Sequence, residues 1–175
     1  DPARRASQSL LRTNRRGQSG LWSYGISGDS PLVLLRISDI NKIDIVQQLI
    51  RAHAYWRMKG LTVDLVIVNE DISVYRQSLH DEIINLISSG IEAQTLDKPG
   101  GIFVRRLEQI PHEDLILLQS VARVILDDEK GSLSQQLEHR SVLEPLLPAL
   151  IPTRTGSNEQ SMSLPERELI YSNGY

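Results

Sequence analysis

The run Pro31-Leu-Val-Leu-Leu-Arg-Ile37, the periodic segment 41–59 closed by Gly60, and the run Leu61-Thr-Val-Asp-Leu-Val-Ile-Val68 decide the fold. The two flanking runs are rich in branched apolar residues and have the length of strands. Between them Ile45, Val46, Leu49, Ala52, His53 and Trp56 recur at spacings of three and four, which puts them on one face of a helix. Asn41 with Asp44 gives that helix a start resembling a capping box, and Gly60 supplies a left-handed stop. A crossover of about five turns is too long for a hairpin and suits a βαβ unit with parallel strands.

Downstream the unit repeats. After the polar turn Asn69-Glu70-Asp71, Ser73 is placed to cap a second helix reaching about residue 88, with Tyr75, Leu79, Ile83, Leu86 and Ile87 inward and Gly90 as its stop. Residues 91–96 alternate like a short edge strand, with Ile91 and Ala93 on the apolar side. Lys98-Pro-Gly-Gly101 turns the chain into a strand, Ile102-Phe-Val-Arg-Arg106, and Pro111 opens a third helix through Leu115, Leu118 and Ala122. Arg123-Val-Ile-Leu126 reads as the fourth main strand. Ser132 and Gln135 form a capping box for a last helix ending near residue 143. The expected fold is α/β: a three-layer, Rossmann-like sandwich over 21–143 with a mainly parallel sheet of four or five strands. Residues 1–20 read as a basic linker with one short helix near 9–13. Residues 144–175, broken by Pro145, Pro148 and Pro152, read as a second linker, with 168–175 as a strand and a turn.

Composition narrows the class. The chain has 175 residues, enough for one ordinary domain plus tails. A single Phe and 5% aromatics imply a core of Leu, Ile and Val. The absence of cysteine excludes disulfides, thiolate nucleophiles and Cys-ligated zinc, and fits a reducing compartment. No apolar run approaches the roughly 20 residues of a membrane helix, so no direct membrane insertion is expected from this piece. The start at Asp1 and the end at Tyr175 read as those of a segment of a longer polypeptide. The net charge is −3, yet Arg4, Arg5, Arg12, Arg15 and Arg16 crowd the first 20 residues. Such an arm can meet nucleic acid or anionic lipid. It lacks interleaved aromatics, and the remaining body is acidic, so nucleic acid is not expected as a partner.

In an open parallel sheet ligands sit beyond the carboxyl ends of the strands. Those ends carry Arg36, Ser38 and Asp39; Asn69, Glu70 and Asp71; Arg105 and Arg106; and Asp127, Asp128 and Glu129. Asp39, Asn69, Glu70, Arg105, Asp127 and Asp128 therefore form a candidate rim site, where paired carboxylates could serve glycosyl or phosphate transfer. The competing reading is a solvated rim, with acids favouring the helix dipoles that follow. No glycine-rich phosphate loop follows the first strand, the four histidines lack metal-ligand spacing, and no metal or cofactor is expected. Trp22, Tyr24 and Asp29, in Leu21-Trp-Ser-Tyr-Gly-Ile-Ser-Gly-Asp29, are a candidate carbohydrate contact; the alternative is that the aromatics pin the incoming loop onto the core.

That phrase, together with Leu49-Ile-Arg-Ala-His-Ala-Tyr-Trp-Arg-Met-Lys-Gly60, Asp64-Leu-Val-Ile-Val-Asn-Glu70, Gly100-Gly-Ile-Phe-Val-Arg105, Ala122-Arg-Val-Ile-Leu126 and Gly131-Ser-Leu-Ser-Gln-Gln-Leu137, resembles the bacterial cyclic β-1,2-glucan synthases over about residues 20–140. These are very large inner-membrane enzymes that polymerise glucose from UDP-glucose, cyclise the chain and trim it by phosphorolysis. The resemblance implies an internal α/β segment on the cytoplasmic side of the inner membrane, with residues 144–175 leading into a β-sandwich module and catalytic groups elsewhere in the polypeptide. Its implied partners are flanking domains and β-1,2-glucan. No functional residue of the family maps onto this segment. The expected role is a non-catalytic module that positions neighbouring carbohydrate-active domains. The alternatives are a transfer site on the rim and, further off, an arm that binds nucleic acid or lipid.

Overall fold

The computed structural model describes residues 4–71 and 76–138. Four strands, β1 (Leu32–Ile37), β2 (Asp64–Asn69), β3 (Ile102–Arg106) and β4 (Val124–Asp127), form one all-parallel sheet in the order β3-β2-β1-β4. The helices are α1 (Gln8–Thr13), α2 (Asp44–Met58), α3 (Arg76–Ser88), α4 (His112–Val121) and α5 (Leu133–Glu138). The α/β sandwich read from the sequence is the architecture observed.

Strand alternation divides the core in two. Val33, Leu35, Ile37, Leu65, Ile67, Ile102 and Val104 face Ile45, Val46 and Leu49 of α2 and Leu79, Ile83 and Ile87 of α3. Leu32, Leu34, Val66, Val68 and Phe103 face Leu117 and Leu118 of α4. Because both faces are covered, the strands read as nearly unbroken apolar runs. Among the described residues, the second face is covered in part by the β3-to-β4 crossover. Leu21, from the 3-10 turn Gln18–Tyr24, and Ile26 complete that layer, each almost wholly buried.

Two local readings change. Residues 91–96 do not form a strand: Ala93–Thr95 is a 3-10 turn, and Leu96 makes one isolated bridge to Ile102. The alternation is inverted there, with Ile91 77% exposed and Glu92 fully buried. The cause is the ion pairing of Glu92 described below. Asn41 does not cap α2: it lies in a preceding 3-10 turn, Ile40–Lys42, which Asp39 caps by accepting at 2.9 Å from the Asn41 amide, and Ile43 holds the cap position of α2 with no side-chain bond. Gly60 takes the expected positive φ of 78°. Gly101 is required by close approach, since a Cβ there would stand 1.9 Å from the Thr95 carbonyl oxygen. Ser73, Tyr75, His139, the end of the last helix and residues 144–175 lie outside the described residues.

Candidate functional site

The strand order makes β1 the point where the sheet reverses, with β2 on one side and β4 on the other, and such a crevice is where doubly wound folds hold ligands. The residues after β1 are its natural phosphate cradle. In this chain the cradle is filled from within. Asp128 is 3% exposed, and its Oδ2 accepts from the Ser38 amide at 2.9 Å, the Asp39 amide at 3.0 Å and the Ser38 hydroxyl at 3.2 Å. A groove of about 320 Å³ between the starts of α2 and α5 is lined by Lys42, Gln48, Asp128 and Ser132.

Beside it, Arg36 holds two more of the rim acids. Its Nε and Nη2 donate to the two Glu70 oxygens at 2.6 and 2.8 Å, and its Nη1 donates to Asp127 at 3.2 Å. The register explains the meeting, because Arg36 lies directly across from Asp127 on β4, and the Glu70 amide donates to the Ile37 carbonyl at 2.7 Å. Hydrogen bonding to Glu70, aided by the charges of Glu70 and Asp127, raises the Arg36 pKa above its ordinary value despite partial burial. The remaining oxygen of Asp127 accepts from the Glu129 amide at 3.0 Å. Asn69 accepts from the Asp71 amide at 2.9 Å, and Asp39 is occupied by Asn41.

The structure thus brings Glu70, Asp127 and, next in the chain, Asp128 to one crevice. Arg105 stands apart on edge strand β3, where it donates to Asp97 at 2.8 Å and to the Tyr24 carbonyl at 2.6 Å. Among the described residues no three His, Asp or Glu side chains are grouped to hold a metal ion.

The aromatic loop is split. Tyr24 donates to Asp114 of α4 at 2.9 Å; burial and that bond push its pKa up to about 12. That bond ties the loop to α4. Trp22 is 64% exposed, and its indole N–H donates at 3.3 Å to the Ser27 carbonyl. Gln18 donates to the same carbonyl at 2.8 Å and to Asp29 at 3.0 Å, so Trp22 and Asp29 border one turn while Tyr24 is directed elsewhere. The basic arm also meets α4: Arg16 pairs with Glu113 at 3.1 Å and Asp114 at 3.4 Å.

Sequence reasoning missed a second ionic cluster, near the amino ends of the strands. Glu92 accepts from Arg57 at 2.8 Å and faces His53 Nδ1 at 2.8 Å, while His53 Nε2 faces the Val63 carbonyl at 3.0 Å. Both ring nitrogens of His53 thus lie at hydrogen-bond distance from an oxygen. Burial pushes the Glu92 carboxyl up, but the bonds from Arg57 and His53 outweigh it and hold the group below the usual glutamate range. Nearby Asp64, fully buried at the start of β2, is raised mainly by burial and accepts from the Gly100 amide at 2.7 Å.

The chain is similar to a segment of a cyclic β-(1,2)-glucan synthase. Over 140 residues, 79% of this chain, it is 33% identical to the cyclic β-(1,2)-glucan synthase NdvB of Rhizobium meliloti (strain 1021). The chain spans about 5% of that synthase's length. No family model matches it. No helix among the described residues is long and apolar enough to cross a membrane.

Proposed function

We propose that this chain is a non-catalytic α/β module of a cyclic β-1,2-glucan synthase, which positions neighbouring carbohydrate-active domains of the same polypeptide on the cytoplasmic side of the bacterial inner membrane. The observation that carries the reading is the state of the β1 crevice. Its amide cradle holds Asp128, and Glu70 and Asp127 are bound to Arg36. A general acid or base must be able to reach the proton it transfers, and a phosphate needs vacant amides. Neither requirement is met while these pairs stand.

The test is replacement of Glu70 by Gln together with Asp127 by Asn in the whole synthase. Glucan synthesis per folded molecule should stay within about twofold, whereas loss of a catalytic acid or base lowers a rate by about 100-fold or more. A drop of that size sinks the reading and restores the rim as a transfer site.

A contact with the glucan is the second part of the proposal, supported by the open indole of Trp22 beside Gln18 and Asp29. Titration of the chain with β-1,2-glucan should move amide resonances around residues 22–29, and Trp22→Ala should abolish the shifts. Silence at millimolar glucan removes this contact and leaves the positioning role.

A further inference from the structure

The carboxyl end of β3 differs from those of its neighbours. A recess of about 700 Å³ opens there, lined by Arg105, Arg106, His80, Gln109, Ser23 and Tyr24. We infer that it binds an oxyanion, the phosphate or carboxylate group of a small polar ligand, between Arg106 and His80. The inference is independent of whether the module positions domains, because it concerns a different strand end.

Three observations converge. First, Arg36 and Arg105 have their guanidinium groups hydrogen-bonded to carboxylates, but Arg106 does not: its ion-paired acid, Glu108, stands 4.0 Å away. A guanidinium without a carboxylate at hydrogen-bond distance is a ready fork for an oxyanion. Second, His80 Nδ1 is buried with no hydrogen-bond partner among the described residues. A buried ring nitrogen is normally satisfied, so an orphan on a side chain that lines the recess leaves a hydrogen-bonding capacity for a bound ligand to use. Burial and the neighbouring Arg106 charge hold the His80 pKa below its ordinary value, leaving a neutral ring that can donate from Nδ1. Third, the recess lies at the sheet end where parallel folds bind ligands, and Arg105, fixed by Asp97 and the Tyr24 carbonyl, gives it a rigid wall. Asp97 cancels the charge of Arg105, so Arg106 supplies the attraction, and the hydroxyl of Ser23 and amide of Gln109 offer partners to a polar body attached to the anion.

The experiment is an NMR titration of the full 175-residue chain at constant ionic strength, with inorganic phosphate, with acetate, and with glucose as the neutral control. Saturable shifts confined to residues 23–24, 80, 104–106 and 109 are expected with phosphate or acetate, the tighter of the two naming the anion class. Arg106→Gln should weaken that binding about tenfold or more, and Arg106→Lys should recover part of it. If Arg106→Gln loses its dispersed spectrum, the ring nitrogens of His80 in the unaltered chain serve instead, and Nδ1 must move on saturation. Non-saturable shifts spread along residues 4–16, shifts with glucose alone, an unmoved Nδ1, or unchanged affinity in a folded Arg106→Gln variant would each overturn the site.

Discussion

The two ends of the sheet hold ions in opposite ways. At the carboxyl end Arg36, with a side chain 32% exposed, gathers Glu70 and Asp127 in a network that water still reaches. At the amino end Glu92 is sealed, with a side chain 0% exposed, and its contacts with His53 and Arg57 tie the turn after α3 to α2. Water screens the first network and lets its members part at modest cost. In the second the acid itself is sealed, so removal of Arg57 or His53 leaves the Glu92 carboxylate short of a partner in the core. Ionic residues at strand ends are therefore no guide to where a fold depends on ions.

The sharpest way to break this contrast is Glu92→Gln. It should cost about 3–5 kcal/mol in urea unfolding, the usual penalty for breaking a buried pair, because the amide keeps one acceptor oxygen but turns an N–H toward the other donor. The same residue has a pH signature. Its folded pKa lies below the ordinary 4.5, so its contribution is complete above that value and is lost as pH falls through the folded pKa. The urea midpoint of the unaltered chain should fall more steeply in acid than that of Glu92→Gln.

Asp128→Ala comes next, at about 2 kcal/mol, since it strips hydrogen bonds from the Ser38 and Asp39 amides. Arg36→Met should be smaller, about 1 kcal/mol, as Glu70 and Asp127 turn to solvent. If Arg36→Met proved as costly as Glu92→Gln, the two ends would be alike and the comparison would fail. The smallest effect belongs to Trp22→Ala, within about 0.5 kcal/mol in thermal unfolding, because most of the indole is already in water.

Much of this was legible in advance. The spacing of Ile45, Val46 and Leu49 placed α2 against the sheet, and the Ser132–Gln135 capping box forms as read, with the Ser132 amide 2.9 Å from Gln135 Oε1 and the Gln135 amide 3.3 Å from Ser132 Oγ. Local patterns suffice where the physics is local. The identity of the rim residues was legible for the same reason, since strands end where loops meet water. Their pairing was not: Arg36 meets Asp127 only because β4 lies beside β1, and strand order is a long-range property. Residues 91–96 misled because six alternating residues cannot distinguish a strand from a turn built around one buried acid. A signal was present in His53 and Arg57, four apart on one face of α2 and so able to share one carboxylate. Trp22 and Tyr24 look equivalent in sequence, yet only Tyr24 finds a partner on α4.

Asp128 has a mechanical consequence. Domains that grip a solute at this crevice alternate between a filled and an empty shape, and their neighbours feel the change. Here the clasp is part of the chain and shuts when the chain folds, so the joint between β1 and β4 is bolted rather than hinged.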